Sequence, residues 1–345
     1  MLFAKVRKKD AQTVHQLLIE SEAFAKGYAT VKEGEFVFFP LAKRMKGDFE
    51  IVEMEAEPLP QKHLNMEDAL AKILTKKEME KLVTSFDIIG DIAIIDIPDS
   101  LEKKEKEIAN AVLAVHKNVK VVAKKTGAMS GEYRVRPLKV IAGENRTETI
   151  YKEHGVRMRL DVASVYFSVR LSAERKRIAE LVKPGETILA LFAGVGPFPL
   201  VIAKTHPDSK IVAIELNPDA VRYMEGNIKL NKSKNIEPVL GDARAVVLKN
   251  YRNFADRVLM PLPKSADAFL DVAIAGAKDG GVIHFYAFVP EDNPYSEVEK
   301  KIEEEAKKAG ASVSFLNERI VRPYSPRIVQ VAIDFRVRKK EESES

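Results

Sequence analysis

Apolar runs of four to six residues, each ended by glycine, proline or an acid, recur through the second half of the chain, with helical patterns between them. Ile188 to Phe192 reads as a buried strand, IVAIE up to Glu215 as a second, the run ending at Gly241-Asp242 as a third, and RVLM before Pro261 as a fourth. Continuous apolar strands alternating with helices such as PDAVRYMEGNIKLN are the pattern of a parallel sheet covered on both faces. The chain from about 161 to 338 is therefore expected to be a Rossmann-type α/β domain. Two further strands, about Val313 to Val321 and Ile328 to Val337, separated by PYSP, suit the antiparallel close of a seven-stranded sheet.

The first half reads differently. Residues 1 to about 60 predict a small α+β unit: strand MLFAKVRKK, a helix over AQTVHQLLIESEAF with Val14, Leu17 and Leu18 on its core face, and strand FVFFPLA. PLPQK marks a linker. Residues about 66 to 160 predict a second α+β domain, with a helix from Met66 to Val83, a strand Ile88 to Ile97, a charged helix Leu101 to His116, a strand Val119 to Ala123 and period-two character over Thr147 to Val162. Residues 339 to 345 form a polar tail.

Chemistry enters at ILALFAGVGPF. Gly194 and Gly196 let the backbone turn tightly beside a ligand, and Pro197 suits the first position of a helix. Glu215, nineteen residues beyond Gly196, ends the next strand, where a carboxylate can accept both hydroxyls of a ribose. The third glycine of a dinucleotide fingerprint is missing, which disfavours a pyrophosphate; a tight turn without a ligand is the plain alternative. Asp242 at the edge of the third strand is placed to meet an adenine amino group. Turn, ribose acid, adenine acid and a proline-bearing strand end, in that order, are what an S-adenosyl-L-methionine site requires. Phe192, Gly194, Gly196, Glu215, Leu216, Asp242 and Ala243 are its candidate residues.

Composition narrows the classes further. The 345 residues, 46% hydrophobic, are ample for two or three packed domains, and the net charge of +5 agrees with a polyanionic partner only weakly. The chain has no cysteine, which excludes disulfides, zinc-cysteine sites and cysteine nucleophiles. The six histidines lack metal-ligand spacing, so no metal is expected. With no apolar run near the length of a bilayer span and no signal-peptide core, the protein is expected to be cytoplasmic.

The segments SFDIIGDIAIIDIP, GEYRVRPLKVIAGE, VYFSVRLSAERKRIA, LFAGVGPF, IELNP, GDAR and VRPYSPRIVQVAIDF together resemble the archaeal and eukaryotic tRNA guanosine-37 N1-methyltransferases. The resemblance implies a cytoplasmic, monomeric enzyme whose N-terminal unit contacts the tRNA elbow while the other two domains hold the anticodon stem-loop, with basic residues of KKTGAMSGEYRVRPLK supplying phosphate contacts. It implies Glu174 as the general base that removes the guanine N1 proton, Arg134 as the donor to the developing charge on O6, Tyr166 and Phe167 as stacking groups for base or cofactor, and Arg175 as a group ordering the cofactor pocket. The sulfonium is already activated, so this chemistry requires no metal.

Three positions depart from the family pattern. Ala190 replaces an aspartate beneath the cofactor and Val169 replaces a proline. Pro261-Leu262-Pro263 replaces the catalytic-loop Asn-Leu-Pro, removing a side-chain amide and a backbone donor. The last change resembles a bifunctional branch that also methylates C7 of 4-demethylwyosine, a tricyclic base at position 37, to give isowyosine. An aminocarboxypropyltransferase using the same cofactor, and a non-catalytic tRNA-binding protein, are the alternative functions.

Overall fold

A computed structural model describes residues 1–59, 65–82, 86–129, 131–262 and 264–339. The expected linker residues Pro60, Gln61 and Lys62, the helix end at Val83, Pro263 and the tail beyond Lys339 lie outside the described residues. The chain divides into two units, Met1–Asn65 and Met66–Ser345.

The first unit holds β1 (Leu2–Arg7), α1 (Ala11–Glu20), β2 (Val31–Glu33), β3 (Phe36–Pro40) and β4 (Glu50–Glu53). Its sheet is antiparallel in the order β2-β3-β1-β4. Val14 and Leu18, one turn apart on α1, pack against Ala4, Val6, Val37 and Phe39. Leu17, expected beside them, is 43% exposed, because adjacent positions on a helix diverge by about 100°.

The second unit begins with α2 (Met66–Leu70), α3 (Lys76–Met79), β5 (Asp87–Ile89), β6 (Ile92–Ile95), α4 (Glu105–Val115), β7 (Val121–Lys125) and β8 (Leu138–Gly143). Two short helices replace the single one expected over 66–83. Thr75 starts the second with a capping box, its amide donating to Glu78 Oε2 at 2.8 Å. The strand expected over 88–97 is likewise a hairpin, turned at Gly90, whose φ of +60° is in the left-handed region. The period-two segment forms a second hairpin, β9 (Glu148–Glu153) and β10 (Val156–Asp161). Ile92, Val121 and Ala123 from the β5–β8 sheet share one apolar cluster with Leu160, Val165, Val195 and Ala220. This joins the sheet to the domain that follows.

That domain runs α5 (Ser172–Leu181), β11 (Thr187–Leu191), α6 (Pro197–Thr205), β12 (Lys210–Glu215), α7 (Pro218–Asn231), β13 (Ile236–Leu240), α8 (Ala243–Asn250), β14 (Ala255–Met260), α9 (Leu270–Gly276), β15 (Ala277–Pro290), α10 (Ser296–Lys308), β16 (Ala311–Ser325) and β17 (Ile328–Lys339). The strand order is β13-β12-β11-β14-β15-β17-β16, parallel except for β17, which runs against both its neighbours. This is the α/β Rossmann-type methyltransferase sheet that the pattern predicts. Successive residues of β11 face opposite layers: Ile188 and Ala190 meet Ile178, Phe198 and Met224 of α5, α6 and α7, while Leu189 and Leu191 meet Val247, Leu270 and Ile274 of α8 and α9. PYSP does not separate the last strands as expected. Pro323 to Ser325 continue β16, and the turn falls at Pro326-Arg327, with Arg327 at φ +61°.

Candidate active site

At the carboxyl ends of β11, β12 and β13 the backbone turns into helices whose starts are written in the sequence. Gly196, at φ +87°, precedes Pro197 of α6; a Cβ there would lie 3.0 Å from Met224 Cγ. Asn217 caps α7 by accepting from Asp219 N at 3.0 Å, and Asp242 caps α8 by accepting from Ala245 N at 2.9 Å. The three turns gather all the candidate cofactor residues except Arg175.

Glu215 organises this corner. Its Oε2 accepts from Gly194 N at 2.8 Å, and its Oε1 accepts from Leu216 N at 2.9 Å and Asn217 N at 2.8 Å. The carboxylate is half-buried rather than an exposed strand end. Beside it Gly194 is open: an added Cβ would meet only Tyr166 O, at 3.8 Å. An open glycine loop next to a fixed carboxylate, with the exposed Asp242 one strand further, fits the adenosine half of S-adenosylmethionine. Ala243 is buried at the start of α8, and Phe192 takes φ +55° with its ring edge-on to Phe269 at 4.9 Å. Ala190 is packed in the apolar layer with Ile178 and Phe198.

Arg134, Tyr166 and Phe167 come together in a cleft of about 430 Å³, which Lys125, Arg136, Arg170, Arg322 and Tyr324 also line. Arg134 ends a turn at φ +52°, its amide donating to Gly131 O at 3.2 Å. Tyr166 is exposed, whereas Phe167 lies edge-on to Tyr151 at 5.1 Å and 5.4 Å below the Arg175 guanidinium. Arg175 is itself buried, donating to Glu153 at 2.5 and 2.8 Å and to Ser168 O at 3.1 and 3.2 Å. It thereby ties α5 to the β9–β10 hairpin and to the 166–168 segment. From the basic run near Arg134, Lys124 is turned inward onto Glu102 and Glu105, leaving it no phosphate to meet.

Glu174 is 2% exposed in the first turn of α5. Its Oε2 accepts from Arg177 Nε and from the Tyr286 hydroxyl, both at 3.0 Å. Its Oε1 accepts no hydrogen bond among the described residues and lies 3.2 Å from Arg319 Nη1. Burial and then the Glu174 charge push the Tyr286 hydroxyl well above its ordinary pKa, so it stays a donor. Burial opposes the Arg177 charge, but the carboxylate of Asp334, reached at 2.5 and 3.3 Å, outweighs it and holds the guanidinium pKa above its usual value.

The polar line continues inward. Arg257 approaches His284 Nε2 at 2.5 Å and Glu186 at 2.9 and 3.1 Å, and His284 Nδ1 stands 2.6 Å from Asp334 Oδ1. A guanidinium only donates, so Nε2 is the acceptor and the proton sits on Nδ1, facing Asp334. Burial pushes His284 below its ordinary pKa despite the pull of Asp334, leaving it neutral. Burial would raise Asp334, but the His284 hydrogen bond and the Arg177 charge outweigh it, and it stays ionised.

Sequence reasoning missed Arg177, three residues from Glu174 on α5, and Tyr286, Arg319, Asp334 and His284, which strand pairing brings into this cluster. It quoted VRPYSPR without giving Arg322 or Tyr324 a role. Among the described residues no group of three or more His, Cys, Asp or Glu side chains is placed to hold a metal, and no helix is long and apolar enough to cross a membrane.

Residues 149–314 match the TRM5/TYW2 methyltransferase domain, 66–147 the TYW2 N-terminal domain and 5–50 the tRNA methyltransferase 5 N-terminal domain. The tRNA (guanine(37)-N(1))-methyltransferase Trm5b of Pyrococcus abyssi is 45% identical over 97% of this chain and 99% of its own, and its crystal structure superposes with a TM-score of 0.76, covering 98% of this chain and 99% of that one. The complex of aTrm5 with tRNALeu gives a TM-score of 0.76 at 35% identity, covering 97% and 99%. Methanocaldococcus jannaschii TYW2 in complex with AdoMet gives 0.59 at 29%, covering 74% and 100%. The tRNA (guanine(37)-N(1))/4-demethylwyosine(37)-methyltransferase Taw22 of Nanoarchaeum equitans is 38% identical over 64% of this chain and 88% of its own. The chain belongs to the TRM5/TYW2 family, and its match to the tRNA (guanine(37)-N(1))-methyltransferases runs nearly from end to end.

Proposed function

We propose that this protein methylates N1 of guanosine-37 in tRNA and, at the same position, C7 of 4-demethylwyosine. The observation that carries the reading is the presence of three features in one unit, Met66–Ser345: the Glu215–Gly194 corner, the basic and aromatic cleft around Arg134 and Tyr166, and the buried Glu174, whose Oε1 accepts no hydrogen bond among the described residues. S-adenosylmethionine, held on this reading by Glu215, Asp242 and the Gly194–Gly196 loop, supplies an activated methyl group.

The side chains then have separate tasks. Arg177 and Tyr286 fill Glu174 Oε2, so Oε1 is the atom that accepts the N1 proton as the N–C bond forms. Arg134 donates toward O6, where negative charge gathers. Tyr166 offers an exposed ring for the flipped base, and Arg175 fixes the segment that carries it through Ser168. For the tricyclic base the reacting atom is an electron-rich ring carbon, so positioning outweighs basicity. Pro261, half-buried beyond β14, presents a ring there instead of an amide. The enzyme acts in the cytoplasm as a monomer on this reading, with the first unit on the tRNA elbow.

Mass spectrometry of nucleosides from tRNA carrying guanosine or 4-demethylwyosine at position 37, after incubation with the full chain and S-adenosylmethionine, tests it. One added methyl on each is expected. An added aminocarboxypropyl group, or no product, would overturn the assignment, and methylation of guanosine alone would remove the second activity.

A further inference from the structure

On the sheet face that carries the partners of Glu174, the strand register sets a second row of side chains. Tyr286 pairs with Ala332, which pairs with Arg319; two residues along β15 and β17, Phe288 pairs with Gln330, which pairs with Arg322. A two-residue step keeps the same face and advances about 7 Å. The second row therefore stands beside the carboxylate, on the cleft side, where Arg322 and Tyr324 line the wall with Arg134 and Tyr166.

Tyr324, two residues past Arg322 on β16, is built as a surface. Its ring stacks on Phe288 with centroids 3.9 Å apart and planes 29° from parallel, so one face is covered, yet the residue is 52% exposed. Arg322 is fixed by donating from Nε to Gln330 Oε1 at 2.9 Å, with its guanidinium 5.9 Å from the Tyr324 ring. Since arginine can only donate, the Gln330 atom it meets is the oxygen, and the buried Gln330 Nε2 is left as a donor with no acceptor among the described residues. Arg136 Nε, on the same cleft, is a second such donor. A supported, half-open aromatic face among cations matches an unstacked nucleotide, which offers a π-face and a phosphate together.

We propose that Tyr324, backed by Phe288 and flanked by Arg322, is the platform on which an unpaired base adjacent to nucleotide 37 stacks, and that this contact positions nucleotide 37 at Glu174. The inference rests on reading the cleft as the anticodon-loop site. Tyr324 is a positioning residue: it holds the loop and does not touch the reacting atoms.

The test uses the full-length protein with Tyr324→Ala and Tyr324→Phe, full tRNA, and tRNA bearing 2-aminopurine at position 36 or 38. Loss of the ring should raise KM for tRNA about tenfold or more, the range of base–aromatic stacking, and abolish the fluorescence quenching that the parent produces at one of the two positions. Cofactor affinity by calorimetry should be unchanged, and Tyr324→Phe should restore both tRNA readouts. Parental KM and quenching in Tyr324→Ala would overturn the platform, as would a matching loss of cofactor affinity, which would mark a structural role. If the parent itself leaves tRNA unmethylated, the reading of the cleft fails, and the platform with it.

Discussion

Glu215 Oε2 accepts the amide hydrogen of Gly194 at 2.8 Å, so the acid at the end of one strand fixes the glycine turn at the end of its neighbour. Removing this carboxylate would do more than delete the proposed ribose contact, because three backbone amides lose their acceptor. Glu215→Ala should weaken S-adenosylmethionine binding by about 1.5–3 kcal/mol, the range of a hydrogen bond to a charged group, and should also lower the melting temperature. Titration calorimetry and thermal melts measure the two effects. Unchanged affinity would take Glu215 out of the site.

Arg175 and Glu153 form an ion pair with both side chains almost wholly buried. Breaking such a pair leaves one charge unpaired in a low-dielectric interior, at a cost of about 3–5 kcal/mol. Arg175→Met should therefore destabilise strongly, and Arg175→Met with Glu153→Met should recover part of the loss. Denaturant unfolding of these two variants and of Glu153→Met alone checks this; simple additivity would contradict the pairing.

The His284–Asp334 contact predicts a pH dependence with a definite sign. His284 has its folded pKa below the ordinary value near 6.5, so below that pH the unfolded chain binds a proton that the folded chain refuses. Stability is full above about pH 6.5 and falls as the pH drops toward the folded pKa. Asp334 adds a loss at lower pH, beginning as the unfolded carboxyl protonates near 3.8. His284→Gln should flatten the fall between about pH 6.5 and 5, by up to about 1.4 kcal/mol per pH unit. Parallel melting curves for parent and variant across that window would show that His284 does not carry the effect.

Pro261→Asn should slow C7 methylation of 4-demethylwyosine more than N1 methylation of guanosine, since an amide narrows the pocket and offers guanine a hydrogen bond. Single-turnover rates on both tRNAs, at saturating cofactor, give the ratio. Equal falls would mean a damaged loop.

What the sequence revealed follows the range of the interactions. Ile188 to Gly196, Glu215 and Asp242 were legible because strand, turn and helix start lie within one local stretch, and each residue type has few other uses there. The break of the 66–83 helix depended on the side chain of one threonine, and the hairpin at Gly90 on a single left-handed residue, so apolar spacing alone ran straight through both. Glu174 was named through the resemblance, but its surroundings were not. Tyr286, Arg319 and Asp334 stand 112, 145 and 160 residues away, on strands whose register no local pattern fixes.

The β16–β17 hairpin is the last part of the domain to be synthesised, and it supplies Arg319, Arg322, Tyr324 and Asp334. A chain that has reached Gly310 already contains the glycine turn, Glu215, Asp242 and Glu174, but Arg322 and Tyr324 of the cleft, and Arg319 and Asp334 of the Glu174 cluster, are still missing. The candidate cofactor residues thus precede, in the order of synthesis, the strands that complete the cleft and the Glu174 cluster. On the proposed reading, a nascent or C-terminally truncated chain holds the residues of the methyl-donor pocket before the cleft for a tRNA base is complete.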